Sequence, residues 1–231
     1  MNLKVVLLAH HREENTAIQQ VVKCIRAIEE NYNHFFTINS LTTELRNGGV
    51  LLDEATVNAC KNSDAILSSF PVSRNGYHIS KEGIKSTILK TPESLDCIFT
   101  DRAHGKIINS LNNNLFGLSN LLPCGHMGIG INLFEPLEDS QSTLKEKVNP
   151  IPLIYSLALL LSRFGLQEEA GAIQMAVNSA GERGMYTTLD TLPKDINCDQ
   201  LGDYLAAAII DSEDIGVVND ENIDLGKSTI I

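Results

Sequence analysis

Three clusters of polar side chains stand where chemistry would need them. His10-His11-Arg12 directly follows an apolar run, Leu3 to Ala9. Imidazoles and a guanidinium at such a place can bind an anion or ligate a metal. No glycine lies among them to let backbone approach a phosphate closely, so a polar turn is the simpler account. Asp101-Arg102-Ala103-His104-Gly105-Lys106 follows a second apolar run. Asp, His and Lys together can do acid/base work. No paired carboxylate and no nucleophile with an orienting base accompanies them, so a charged loop accounts for them too. Gly125-His126-Met127-Gly128-Ile129-Gly130 has the spacing of a dinucleotide fingerprint. That fingerprint works only between a strand and a helix, and here an extended Ile131 to Phe134 follows. A flexible surface loop is the expectation. No Cys/His spacing suits zinc, and no Gly-x-Ser-x-Gly or Gly-x-x-x-x-Gly-Lys occurs. The residues alone yield no complete active site.

The elements that must position these clusters can be read from periodicity. Leu3 to Ala9 suits a strand buried on both faces. Glu13 to Glu30 has helical spacing, with Ile18, Val21, Val22, Ile25 and Ile28 on one face. Phe35 to Ile38, Asp64 to Ser69 and Leu95 to Thr100 are further strands, and Gly48-Gly49 is a turn. Asp53 is placed to cap a helix through Cys60. Ile107 to Phe116 suits a helix weakened by Asn112-Asn113-Asn114. Asn149 caps an apolar helix opened by Pro150 and running to about Phe164. Leu166 to Ala180 and Asp199 to Ile210 complete the set. Alternating strands and helices predict an α/β fold: a single domain, residues 1–210, with a mostly parallel sheet flanked by helices. Residues 211–231 are acidic and aperiodic, and read as a flexible or partner-ordered tail. Ligands of such sheets bind beyond the carboxyl ends of the strands, so the loops at 9–15, 70–80, 101–106 and 124–142 are the ones to inspect.

Composition narrows the function. Lys and Arg number 18 against 29 Asp and Glu, a net charge of -11. Broad binding to nucleic acid or to an anionic membrane is therefore not expected, since affinity there comes from neutralising phosphates. Met1 to Ala9 is too short for a secretory signal, and Ile151 to Leu161 is about half the ~20 residues needed to span a bilayer. Five scattered cysteines (Cys24, Cys60, Cys97, Cys124 and Cys198) form no C-x-x-C pair. They read as reduced thiols in the cytoplasm.

Several segments together resemble the isocitrate/isopropylmalate dehydrogenase family. Gly48 to Cys60 with Ser63 to Leu67 is similar to its early helix and strand. Leu95 to Asp101 with Gly105 is similar to the strand that precedes its metal-binding helix. Leu121-Leu122-Pro123 and Leu133-Phe134-Glu135-Pro136 resemble the approach to its cofactor loop, and Asn149-Pro150-Ile151 the helix that closes it. Gly184 to Asp190 and Leu201-Gly202-Asp203 resemble its C-terminal signature. The resemblance implies the fold of that family's large domain.

The departures carry an opposite implication for activity. The family's first strand runs into G-D-G-I-G-P-E, and here Ala9-His10-His11-Arg12-Glu13-Glu14 stands instead. Its metal-binding helix reads G-D-x-x-x-S/D-D. Matched residue by residue, the two carboxylates become Lys106 and Ser110. An ammonium at a divalent-cation position sets like charges in contact, at a cost of several kcal/mol for an effective dielectric of about 20. The cofactor loop's H-G-S-A-P is here Glu138-Asp139-Ser140-Gln141-Ser142, leaving Asn149 as a vestige of the adenine side. Between residue 89 and Leu95 the family inserts a whole second domain that this chain lacks. These losses lead to the expectation of a non-catalytic relative without metal or cofactor. It would act as a protein–protein interaction subunit or adaptor in a larger assembly, itself an oligomer in one version. The alternative is a small-molecule or nucleotide sensor, or an enzyme of altered mechanism, using a residual cleft lined by His10, His11, Asp101, His104 and Lys106.

Overall fold

The computed structural model describes residues 1–9, 14–46, 49–51, 53–69, 121–128, 132–137, 148–187 and 192–214. A five-stranded sheet has the order β2-β1-β5-β7-β6. Its strands are β1 (Asn2–Ala9), β2 (Phe35–Thr42), β5 (Ala65–Ser68), β6 (Pro123–Met127) and β7 (Asn132–Pro136). β2, β1, β5 and β7 are parallel, and β6 runs antiparallel to β7 at one edge. This is the α/β arrangement that the alternation predicts.

The sheet is central because β1 is apolar on both faces. Leu3, Val5, Leu7 and Ala9 point to one side, and are buried with Leu67 and Phe134 against helices α1 (Glu14–Tyr32), α3 (Ile151–Arg163), α4 (Gln167–Glu182) and α5 (Cys198–Ile210). Val6 and Leu8 point to the other side, where they meet Ile66 and Cys60 of α2 (Glu54–Lys61). Period-two alternation with both sets buried is what a central parallel strand requires. α1 turns Ile18, Val21, Ile25 and Ile28 inward as their spacing predicts, with Val22 half-buried beside them. α4 offers Ala170, Ala172, Ala176 and Ala180, small side chains that let neighbouring helices approach closely.

Local signals fix the helix ends. Asp53 accepts a hydrogen bond from the Thr56 N–H at 2.7 Å, the predicted cap of α2. Asn197 and Gln200 form a reciprocal capping box on α5. Gly165 and Gly184 take positive φ, 80° and 68°, just past α3 and α4. The chain reverses there through bonds such as Leu166 N–H to Leu161 O at 3.0 Å, a geometry in which a Cβ is strained.

Four differences from the sequence reading follow from pairing and packing. The Gly-rich stretch is no loop at its start: Gly125, His126 and Met127 lie in β6, paired with β7. A Cβ on Gly125 would come 2.9 Å from Met127 Cε and 3.3 Å from Leu159 Cδ2, so glycine serves close packing there. A short hairpin, β3 (Glu44–Arg46) with β4 (Gly49–Leu51), occupies the place read only as a turn. The first helical residue after the Asn-Pro pair is Ile151, with Pro150 at the cap position. The acidic tail begins as a 3-10 turn, Asp211–Asp214, whose Ser212 Oγ accepts from Asn31 Nδ2 at 3.4 Å. The strand expected at Leu95 to Thr100, the helix at Ile107 to Phe116 and the rest of the tail lie outside the described residues. Among the described residues no helix is long and apolar enough to cross a membrane.

Candidate functional site

The parallel strands β1, β2, β5 and β7 share a direction, so their carboxyl ends, at Ala9, Thr42, Ser68 and Pro136, lie along one edge of the sheet. Thr43 N–H donates to Ala9 O at 2.8 Å and Ser69 N–H to Leu8 O at 2.9 Å, so backbone contacts continue past the strand ends. Ligands of open α/β sheets bind at this edge. His10, His11, Asp101, His104 and Lys106 all lie outside the described residues.

Asn149 is placed fully. It is buried, and its amide is engaged at both ends. Oδ1 accepts from the Ile151 N–H at 3.1 Å, and Nδ2 donates to Thr187 O at 3.2 Å. The side chain therefore ties the start of α3 to the segment after α4. It satisfies one of the N–H groups that a helix start leaves without an intrahelical partner. Its fit to a nucleotide is that of a strut which holds the helix start in place. Nearby, Tyr155 of α3 hydrogen-bonds Tyr186, and burial pushes both phenols upward from their ordinary range. Both stay protonated near neutrality, so they act as donors and acceptors and not as bases.

A second cluster was missed by sequence reasoning. His126 Nε2 lies 2.9 Å from Glu135 Oε1 and 3.5 Å from Cys124 Sγ. Strand register produces it: Cys124 and His126 share a face of β6 by period two, and Cys124 lies opposite Glu135 of β7. The signal was in the sequence as Cys-x-His with a Glu in the next apolar run. It was hidden by reading Gly125 to Gly130 as a loop. Glu135 is only 2% exposed. Hydrogen bonds to Cys124 and then to Glu135 push His126 up to about 9, so it is cationic at neutral pH.

For a metal, the described residues hold no group of three or more His, Cys, Asp or Glu able to bind one. The positions that the resemblance gives to metal ligands are Lys106 and Ser110. The donor chemistry of an ammonium does not fit a divalent cation, so no step is derived through one.

Relatives can now be set beside this geometry. A 3-isopropylmalate dehydrogenase of Helicobacter hepaticus is 30% identical over 130 residues, covering 53% of this chain and 36% of that protein. One of Geobacillus kaustophilus is 28% identical over 141 residues, covering 58% and 38%. The chain thus spans little more than a third of the curated relatives it matches. Among solved structures, an isocitrate dehydrogenase of Methylococcus capsulatus superposes with a TM-score of 0.71 at 14% identity, over 90% of this chain and 99% of that one. A β-decarboxylating dehydrogenase of Thermococcus kodakarensis gives 0.69 at 15%, over 94% and 100%. At those identities the structural likeness shows the fold. The names of these relatives overturn the expectation of a non-enzyme. That expectation rested on the exchanged pair Lys106 and Ser110, the altered cofactor loop at Glu138 to Ser142 and the second domain expected between residue 89 and Leu95, and the enzymes among the relatives overturn it all the same. Residues 78–205, more than half of the chain, match the isocitrate/isopropylmalate dehydrogenase family, and the chain belongs to it.

Proposed function

We propose that this chain is an oxidoreductase of the 2-hydroxy-acid class. Its substrate resembles the 3-isopropylmalate for which the curated relatives are named, and its polarising cation is a side chain of its own. The family match over residues 78–205 carries the reading, because that stretch takes in Asp101, His104, Lys106 and Asn149 together. A nicotinamide dinucleotide supplies the hydride acceptor in such chemistry. The chain's own residues do the rest. Lys106 offers a fixed positive charge and three donors, which can stabilise oxygen that becomes negative during the reaction. His104 and Asp101 are groups of the right type to take the hydroxyl proton. His10, His11 and Arg12 offer donors to a substrate carboxylate at the carboxyl end of β1. Asn149 holds the start of α3 in place.

The short span between residue 89 and Leu95, where the resemblance leads to the expectation of an inserted domain, supports a protein partner that completes the substrate side. The free thiols Cys24, Cys60, Cys124 and Cys198 support a cytoplasmic setting.

The test is the purified chain with 3-isopropylmalate, isocitrate and simpler 2-hydroxy acids, with either nicotinamide dinucleotide, read as reduced cofactor. Turnover that persists under chelator and is lost in Lys106→Ala is the expected result. Turnover abolished by chelator removes the metal-free part of the reading. No reduction with any substrate in the panel, with or without Mg²⁺ or Mn²⁺, overturns the whole.

A further inference from the structure

β2 forms one margin of the sheet, and among the described residues its only strand neighbour is β1. Phe35 N–H donates to Met1 O at 3.0 Å and Thr43 N–H to Ala9 O at 2.8 Å. Backbone groups of successive residues point to opposite sides of a strand. Phe35, Thr37, Asn39 and Leu41 therefore turn theirs toward β1, and Phe36, Ile38 and Ser40 turn theirs outward. Glu29 Oε1 of α1 accepts from the Phe36 N–H at 2.7 Å. The outward groups of Ile38 and Ser40 meet no hydrogen-bond partner among the described residues. Open edges are commonly guarded by charge, proline or short length. The opposite edge is guarded so: β6 has five residues and opens with Pro123. β2 has eight, Phe35 to Thr42, with no charged residue and no proline. Phe35 is 66% exposed, and Ile38 and Leu41 are half-buried.

We propose that the β2 edge is a surface for a second copy of this chain, which pairs antiparallel to it with Ile38 on the two-fold axis. The surface does not depend on the function proposed above. The strand's own sequence argues for this occupant. A two-fold axis perpendicular to the sheet keeps each face on its own side, so residues opposite one another belong to the same face. Centred on Ile38, that residue meets its counterpart, Thr37 meets Asn39, and Phe35 meets Leu41. The most exposed apolar side chain of the strand thereby gains an apolar neighbour, and it does so twice by symmetry.

The same register uses the backbone groups that stand open. Ile38 N–H donates to Ile38 O of the second copy and receives the reverse bond. Ser40 N–H donates to Phe36 O of the second copy, so the Phe36 N–H held by Glu29 is not needed. Neighbouring registers serve less well. Centred on Thr37, the central bonded pairs call on that Phe36 N–H. Centred on Asn39, Ile38 meets Ser40 and Phe35 passes beyond Thr42. The chain carries a net charge of -11, and an uncharged strand is where two copies can meet without like charges opposite one another. The pairing consumes the β2 edge of both copies, so assembly along it stops at two. One strand pair is a small interface, so monomer and dimer exchange with concentration.

The test is sedimentation equilibrium of the full chain over roughly 1 μM to 1 mM, with hydrogen exchange across the same range. Mass should rise from one chain toward two. The Ile38 and Ser40 amides should slow as the dimer fills, while the inward amides of Thr37 and Asn39 stay protected throughout. Ser40→Pro removes an outward donor and spares the bonds to β1. It should weaken association by at least about tenfold. Ile38→Lys sets two ammoniums against each other on the axis and should do the same. Cys24 and Cys198 are buried, so their protection from iodoacetamide reports that a variant is folded. Where a variant unfolds, the wild-type mass and exchange decide alone. A single-chain mass at every concentration overturns the proposal, whether the two amides are open or are covered by another segment of the same chain. So does a dimer whose Ile38 and Ser40 amides exchange as fast as in the monomer, or unchanged association in folded Ser40→Pro.

Discussion

Gly202 offers a sharp test of how α1 and α5 are held together. It sits in the Leu201-Gly202-Asp203 signature, and its α-carbon faces Gln20 of α1. A methyl added there would land on Gln20 Oε1, 2.7 Å from its Cδ and 2.9 Å from its Cβ. Gln20 is fully buried, and its Nε2 donates to Thr16 O at 2.9 Å and to Asp199 Oδ1 at 2.8 Å. The amide end can swing aside only by giving up those bonds. The Cβ contact cannot be relieved by rotation, so the helices themselves must part. Overpacking costs about 1–3 kcal/mol, and stranding a buried amide costs about 1–3 kcal/mol more. Replacing Gly by Ala within a helix returns about 1 kcal/mol. Gly202→Ala should therefore destabilise the chain by roughly 1–5 kcal/mol. Urea unfolding of wild type, Gly202→Ala, Gln20→Ala and the double variant forms a closed cycle. Gln20→Ala removes the Oε1 and Cδ contacts, so the double variant should be more stable than additivity predicts by about 1–2 kcal/mol. Strict additivity, or a Gly202→Ala cost below about 0.5 kcal/mol, would refute the close approach of these two helices.

Two further predictions concern the sheet edge and the start of α3. His126 is raised from its ordinary 6.5 to about 9, so its stabilisation is fully present below pH 6.5 and is lost as pH rises through about 9. Its side chain is 33% exposed, and after discounting for solvent screening the part due to Glu135 comes to about 1 kcal/mol. Wild type should thus lose about 1 kcal/mol more than Glu135→Gln between pH 6.5 and 10 in urea titrations. Parallel profiles would dismiss the pair, because the Cys124 thiol is common to both proteins. Asn149→Ala removes the acceptor for Ile151 N–H and the donor to Thr187 O, and should cost about 1–2 kcal/mol. Hydrogen exchange at the Ile151 amide, faster in the variant, locates the loss.

The parts legible in the sequence are those where one local signal decides. β1 is readable because an unbroken apolar run has one stable home, between two layers. α1 is readable because Ile18, Val21, Ile25 and Ile28 repeat at the helical period. The Asp53 cap needs only its neighbour Thr56. What escaped depends on pairing partners distant in sequence. β6 reads as a glycine-rich loop until β7 lies beside it, and Gly125 is then a packing residue under Leu159. The Cys124–His126–Glu135 contact follows from that same register, so missing the strand meant missing the cluster. Asn149 was read as the cap of α3, where the structure places Pro150, and its tie to Thr187, 38 residues away, was not legible.

The mistaken expectation of a non-enzyme has a physical lesson in which residues carry the resemblance. Two of its signature positions are structural here. Asn149 joins two helical segments, and Gly202 makes room for Gln20. Asp53 caps α2, and Phe134 is fully buried between sheet and helices. These residues answer to packing, and packing constrains them whatever reaction the strand ends perform. Lys106 and Ser110 stand where the resemblance puts ligand-binding residues, and residues of that kind can change while the scaffold stays. Loss of a ligand pair therefore tests one way of polarising a substrate, whereas family membership rests on the framework. A cation held by metal and a cation held on a lysine stem meet the same electrostatic demand at different strengths, since one carries two charges and the other one. The weaker charge implies slower chemistry that is indifferent to chelators, and that pairing of properties separates an altered enzyme from both an intact one and an inert one.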